Sequence, residues 1–188
     1  DAYIHFQYGR QMALGEPYIY NSGDAPTSGA TSLIYPYVLA FGHVLGFHEL
    51  DLGYWAMGIG TLALLASMWL IFRLMLMFGS SIWLAVMVAS GFALTGSISW
   101  HFMSGMETGL MIAFSLATLY GFASKRFNFF WVSATLLAIT RPEGSVMAII
   151  AVLLYGGQAL IDLALGALFS ASIQHSQYKL WLLFIPLM

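Results

Sequence analysis

The residues of this chain that could do chemistry lie in three short stretches. The first, DAYIHFQYGRQMALGEPYIYNSGDAPTSGATS (1–32), carries Asp1, His5, Arg10, Glu16 and Asp24 among Tyr3, Tyr8, Tyr18 and Tyr20. Asp1 and His5 are spaced i, i+4 and so share one side of a helix. Such a pair could serve as acid and base, or offer two ligands to a divalent cation; two ligands are too few to define a metal site. The second stretch is SGMETG (104–109) and the third TRPEG (140–144), each opening an apolar segment. Ser104-x-x-Glu107 and Thr140-x-x-Glu143 both have the spacing of a capping box, with Pro142 tolerated in a first turn. Capping would account for both glutamates. It accounts less well for Arg141, whose charge falls between two apolar helices and beside two helix N-termini. That arrangement makes an anion site, and the guanidinium fork suits a phosphate. The competing reading is an arginine that snorkels to lipid headgroups.

The rest of the sequence must position these groups, and it is overwhelmingly apolar. Of 188 residues, 60% are hydrophobic and 7% charged, against about 25% charged in a soluble domain. The chain therefore reads as an integral membrane protein. A net charge of −2 without a Lys/Arg cluster argues against a nucleic-acid partner. With no cysteine, disulfides, thiolate metal sites and cysteine nucleophiles are excluded. Most of the tyrosines, with Trp100, fit an interfacial aromatic belt. His43, His48 and His175, and the methionines from Met68 to Met77, fit packing or lipid-facing roles. The opening on Asp1 without an initiator Met, and the end inside LWLLFIPLM, predict an internal fragment with one helix before it and several after.

Taken in order, residues 1–14 predict a helix that Gly15, Glu16 and Pro17 end. Residues 21–32 predict a loop, because Gly, Ser, Pro, Asn and Asp break both periodicities. An apolar run from Leu33 to Phe47, interrupted by Pro36 and Gly42, is short for a span of about 20 residues. It predicts a juxtamembrane or re-entrant helix. Spanning segments follow at Tyr54–Met77, Ile82–Ser97, Gly105–Ala123, Phe127–Ile139 and Gly144–Leu165, with another beginning near Leu180. The division is thus an extracytoplasmic loop with juxtamembrane helices (1–52) and a transmembrane bundle (53–188).

Arg73, Lys125–Arg126 and Lys179 fall at alternate helix ends, so a zigzag places all four on one side, the cytoplasmic one. Asp1, His5, Arg10, Glu16, Asp24, His101, Glu107, Arg141 and Glu143 then all face outward. Ionisable groups near lipid are costly, so their convergence at one face predicts a functional site.

DAYIHFQYGRQMALG, YIYNSGDAPTSGATSLIYP, SGMETGL and TRPEG, in that order, resemble the bacterial GT-C glycosyltransferases of the mannosyl- and arabinofuranosyltransferase type, over roughly residues 1–150. The resemblance implies an all-α, polytopic GT-C-like bundle in the bacterial inner membrane with an extracytoplasmic active site. It implies transfer of a sugar from a polyprenyl-phosphate donor to a glycan, lipid or protein acceptor. The family's loop opens with two acids, of which Asp1 matches the second; an acid there serves as catalytic base. His5, Tyr8, Arg10, His101, Glu107, Arg141 and Glu143 are then the expected substrate-binding residues, with Arg141 on the donor phosphate. Where the family has Pro after Thr-Ser, this chain has Leu33. Two other functions fit the composition. One is a structural membrane subunit that keeps such a scaffold within a larger assembly. The other is a transporter of a lipid-linked substrate, which would place polar residues at the midplane and show internal repeats.

Overall fold

The computed structural model describes residues 2–27 and 29–184, with side chains to residue 165. The described secondary structure is entirely helical: α1 (Ala2–Ala13), α2 (Tyr35–Val44), α3 (Asp51–Met77), α4 (Ile82–Leu94), α5 (Gly96–Met103), α6 (Thr108–Ala123), α7 (Phe127–Thr140) and α8 (Pro142–Phe184). Two compact units result, Asp1–Ala151 and Val152–Met188. Within the described part, the second is the continuation of α8, and the first holds the residues of the candidate sites described below. It also joins the polar opening segment to the helix bundle, because α1 packs on α2 and α2 on α3.

Length and apolarity qualify two helices as membrane spans, Asp51–Met77 and Pro142–Leu165, and a third if α4 and α5 are one broken span. The expected single span over Ile82–Ser97 is in fact two helices bent by 63°. The cause is local. Thr95 leaves the helical region (φ −71, ψ 111), and its hydroxyl bonds back to the Gly91 carbonyl at 2.8 Å, a side-chain competition that bends helices. α6 begins at Thr108 rather than at Gly105, since Gly105 adopts φ +73, a conformation that favours glycine. With 16 and 14 residues, α6 and α7 measure about 24 and 21 Å at the usual helical rise, short of a full span. α8 is continuous through the residues where a separate helix was expected to begin near Leu180; the end of the chain beyond Phe184 lies outside the described residues.

The helices meet through small residues. Leu70 and Leu74 of α3 pack with Ala117 and Tyr120 of α6; Ala63 of α3 packs with Phe102 of α5 and Ala113 of α6; Ala134 and Leu137 of α7 pack with Ala148 of α8. Gly60 lies against the Phe102 carbonyl, where any Cβ would collide. Lipid-embedded helices associate through such close backbone approaches. α2 is the short helix that the Leu33–Phe47 run anticipates, but Pro36 and Gly42 do not interrupt it. Pro36 occupies its first turn, where the missing N–H costs nothing, and the Trp55 indole lies over Gly42.

Candidate functional site

α1 and α2 are held over the bundle by the 14–33 segment. Gly15 (φ +89) turns the chain at the end of α1. Asn21 donates to Asp24 Oδ2 at 3.0 Å and Ser22 to Glu16 Oε1 at 2.8 Å, so Asp24 and Glu16 shape the loop. The Tyr8 hydroxyl bonds to Thr27, and the Leu33 N–H reaches the Ile139 carbonyl of α7 at 3.1 Å. This last bond brings Thr31 next to the α5–α6 turn.

At that turn, Gly105 sets the chain so that Glu107 itself, not Ser104, stands at the start of α6. Glu107 is 0% exposed. Its Oε1 accepts the Thr31 hydroxyl at 2.9 Å and lies 3.3 Å from Arg141 Nη1. Its Oε2 lies 3.1 Å from His5 Nε2, an ion-pair contact without hydrogen-bond alignment. Burial pushes the Glu107 carboxyl up, but the His5 imidazole, its own backbone N–H and the Thr31 hydroxyl outweigh this and hold it at about 2. His5 is itself 4% exposed, with Nδ1 left without a hydrogen-bond partner.

Arg141 arrives through proline chemistry. A residue before proline is driven out of the helical region, and Arg141 is extended (φ −154, ψ 155) between Thr140, the last residue of α7, and Pro142, the first of α8. Its Nε and Nη2 donate to Glu143 Oε2 and Oε1 at 3.2 and 3.4 Å, and Nη1 donates to Thr108 Oγ1 at 3.4 Å. The side chain is 23% exposed, against 61% for Glu143. Arg141 is therefore turned toward Glu107, Thr108 and Glu143 at the starts of α6 and α8.

Neither expected capping box forms. The Ser104 hydroxyl donates to the His101 carbonyl at 3.2 Å, and Thr140 donates back to Leu136 at 2.6 Å. Both glutamates are thus released from capping and turn to Arg141. The structure brings His5, Glu107, Arg141 and Glu143 together. Tyr8, one turn beyond His5 on the same side of α1, is also buried but meets Tyr20 and Thr27 instead. Arg10 and His101 are exposed and outside this cluster. Asp1 lies outside the described residues. Among the described residues no three His, Cys, Asp or Glu side chains group to hold a metal ion.

Two members went unnoticed in the sequence. Thr31 sits in a loop, whose reach no periodicity encodes. Tyr35, whose hydroxyl donates to the Gly105 carbonyl at 2.8 Å, looks like belt material until the fold puts it edge-on to His5. Burial, then the Glu107 charge, raise its hydroxyl pKa, so it stays a donor that braces the turn.

At the other end of α6, Arg73 lies over Trp69 and Tyr120 at 5.5 and 5.9 Å, and Arg126 over Tyr120 at 5.9 Å. Arg73 and Arg126 thus meet at one end of the helix whose opposite end carries Glu107. Lys179, also assigned to that end, has its side chain outside the described residues. No family model, curated protein or solved structure matches the chain.

Proposed function

We propose that this chain is part of a membrane glycosyltransferase that moves a sugar from a polyprenyl-phosphate donor to an acceptor at the extracytoplasmic face of a bacterial inner membrane. The observation that carries the reading is the buried Glu107 carboxylate, paired with His5 and Arg141 where the starts of α6 and α8 meet the polar opening segment. Buried charge in an apolar bundle is expensive and collects where function requires it. Inverting transfer needs a carboxylate to take the acceptor hydroxyl proton as that oxygen attacks the anomeric carbon. It also needs positive charge on the phosphate that departs as the sugar–oxygen bond breaks. Arg141 and two helix N-termini supply the second.

Glu107 is a poor base at about 2, since base strength falls with pKa. Its role is to fix Arg141 and α1. The base on this reading is Asp1, four residues before His5 in the sequence. Glu143, exposed and chelating the Arg141 fork, is the group a donor phosphate would displace. The test is Asp1→Asn in the intact protein, assayed with labelled polyprenyl-phosphate sugar in membranes. Transfer should fall by about 10² to 10⁴ while the protein stays folded. Full activity in Asp1→Asn removes Asp1 from the mechanism.

One observation favours a second reading, a structural membrane subunit: the Arg141 fork is already filled by carboxylates of its own chain. A chain of that kind would show no transfer and no donor binding in the wild type.

A further inference from the structure

On the opposite side of α1 from Glu107 lies a cavity of about 340 Å³ lined by Tyr3, Phe6, Gln7, Arg10, His43 and Glu49, with Leu50 and Leu52 at its α3 side. Tyr3, Phe6, Gln7 and Arg10 are spaced i, i+3, i+4, i+7, one continuous stripe of a helix. We propose that this cavity is a binding site for a neutral sugar ring, distinct from the Glu107 cluster.

The lining chemistry selects this class. Arg10 offers a fork of donors and Glu49 two acceptor oxygens, both of which can hydrogen-bond the hydroxyls of a sugar. Their charges oppose one another, so a phosphate meets Glu49 and an ammonium meets Arg10. His43 is shifted toward its neutral form, because burial, then its neighbours His48 and Arg10, lower its pKa. Tyr3 and Phe6 stand edge-to-face with centroids 5.8 Å apart, giving an aromatic wall for the apolar face of a pyranose or furanose. The volume is at the small end for ligand pockets, about 300–1,000 Å³, and fits one small ring better than a lipid chain with its headgroup.

Two further features read as construction. Glu49 is held at φ +49, which a side-chain-bearing residue adopts only at a cost, and such strain collects at functional positions. Phe6, the inner wall, touches the turn that carries Glu107: a Cβ on Gly105 would lie 3.1 Å from Phe6 Cζ. One helix thus presents His5 to the Glu107 cluster and a sugar-shaped wall to the cavity behind it. The assignment does not rest on the transferase reading, because binding of a glycoside there would need neither donor nor turnover.

Saturation-transfer NMR on the full chain in micelles, with methyl hexopyranosides and methyl pentofuranosides as probes, tests it. The expected result is millimolar binding, with saturation strongest on the protons of one ring face. Glu49→Gly relieves the strained φ and removes the carboxylate; it should raise the melting temperature and weaken glycoside binding at least about tenfold. Leu50→Trp, at a position 75% exposed and so tolerant of substitution, should fill the mouth and weaken binding similarly. Absence of glycoside saturation in the wild type overturns the proposal. So does saturation confined to the detergent chains, competition by inorganic phosphate at matched ionic strength, or wild-type affinity in Glu49→Gly.

Discussion

Replacing Glu107 with glutamine isolates the charge at the centre of the cluster. Gln is nearly isosteric, and its amide oxygen can still accept the Thr31 hydroxyl that lies 2.9 Å from Oε1. What disappears is the negative charge between His5 and Arg141. The magnitude follows from linkage. A carboxyl at about 2 in the folded protein, against about 4.3 when unfolded, contributes on the order of 3 kcal/mol, at 1.36 kcal/mol per pH unit. Because the folded pKa is the lower one, that stability is fully present above about pH 4.5 and is lost as pH falls toward 2. Arg141 retains Glu143, so the variant leaves one charge partner in place. At pH 7, Glu107→Gln should therefore unfold roughly 6–12 °C below wild type, at about 2–4 °C per kcal/mol for a chain of this size. Scanning fluorimetry in detergent across pH 7 to 3 should show the two melting temperatures converging below pH 4.5. Equal melting at pH 7, or a gap that stays constant through pH 3, would refute an ionised, buried Glu107.

Arg141→Lys keeps the charge but loses the bidentate fork, so donor affinity should drop in a filter-binding assay, and Arg141→Ala should drop it further. Near-equivalence of Lys and wild type would remove Arg141 from phosphate recognition. Cysteines replacing Ser22 and Ser104 should label with an impermeant reagent from outside intact cells, and one replacing Ser124 should not. Outside labelling at Ser124 would invert the topology and with it the side of the cluster.

The turn residues made the outline of the fold legible in advance. Gly15, Glu16 and Pro17 do end α1, and the described residues of the polar 21–32 stretch are irregular, because each of these types breaks a periodicity by a known local mechanism. The sequence groups His5, Glu107 and Arg141 with six other ionisable residues at one face, because the start of one apolar segment and the end of the next fall at the same end; it does not single out these three. What local pattern could not supply was which side of α1 faces the bundle. That choice separates His5, which is buried against Glu107, from the exposed Arg10 further along the helix. Nor could it show that Gly105 would adopt φ +73 and put Glu107 where a cap residue was expected. The spacing of a capping box is present in the sequence twice and in the structure not at all, because both glutamates find a buried or charged partner stronger than an orphan N–H. The bend at Thr95 was missed for a related reason: a hydroxyl inside an apolar run looks harmless until it bonds to its own helix.

The same competition assigns the carboxylates different work. A carboxylate that is fully buried and faces an imidazole, a guanidinium and a hydroxyl is pulled toward permanent ionisation, and each contact that stabilises the anion weakens it as a proton acceptor. Glu143, largely in solvent, gives up little when it releases Arg141, because water screens an exposed ion pair. On the transferase reading, Glu107 holds Arg141 in place, Glu143 yields its side of the fork to the donor phosphate, and the proton goes to a carboxylate that neither of them can replace.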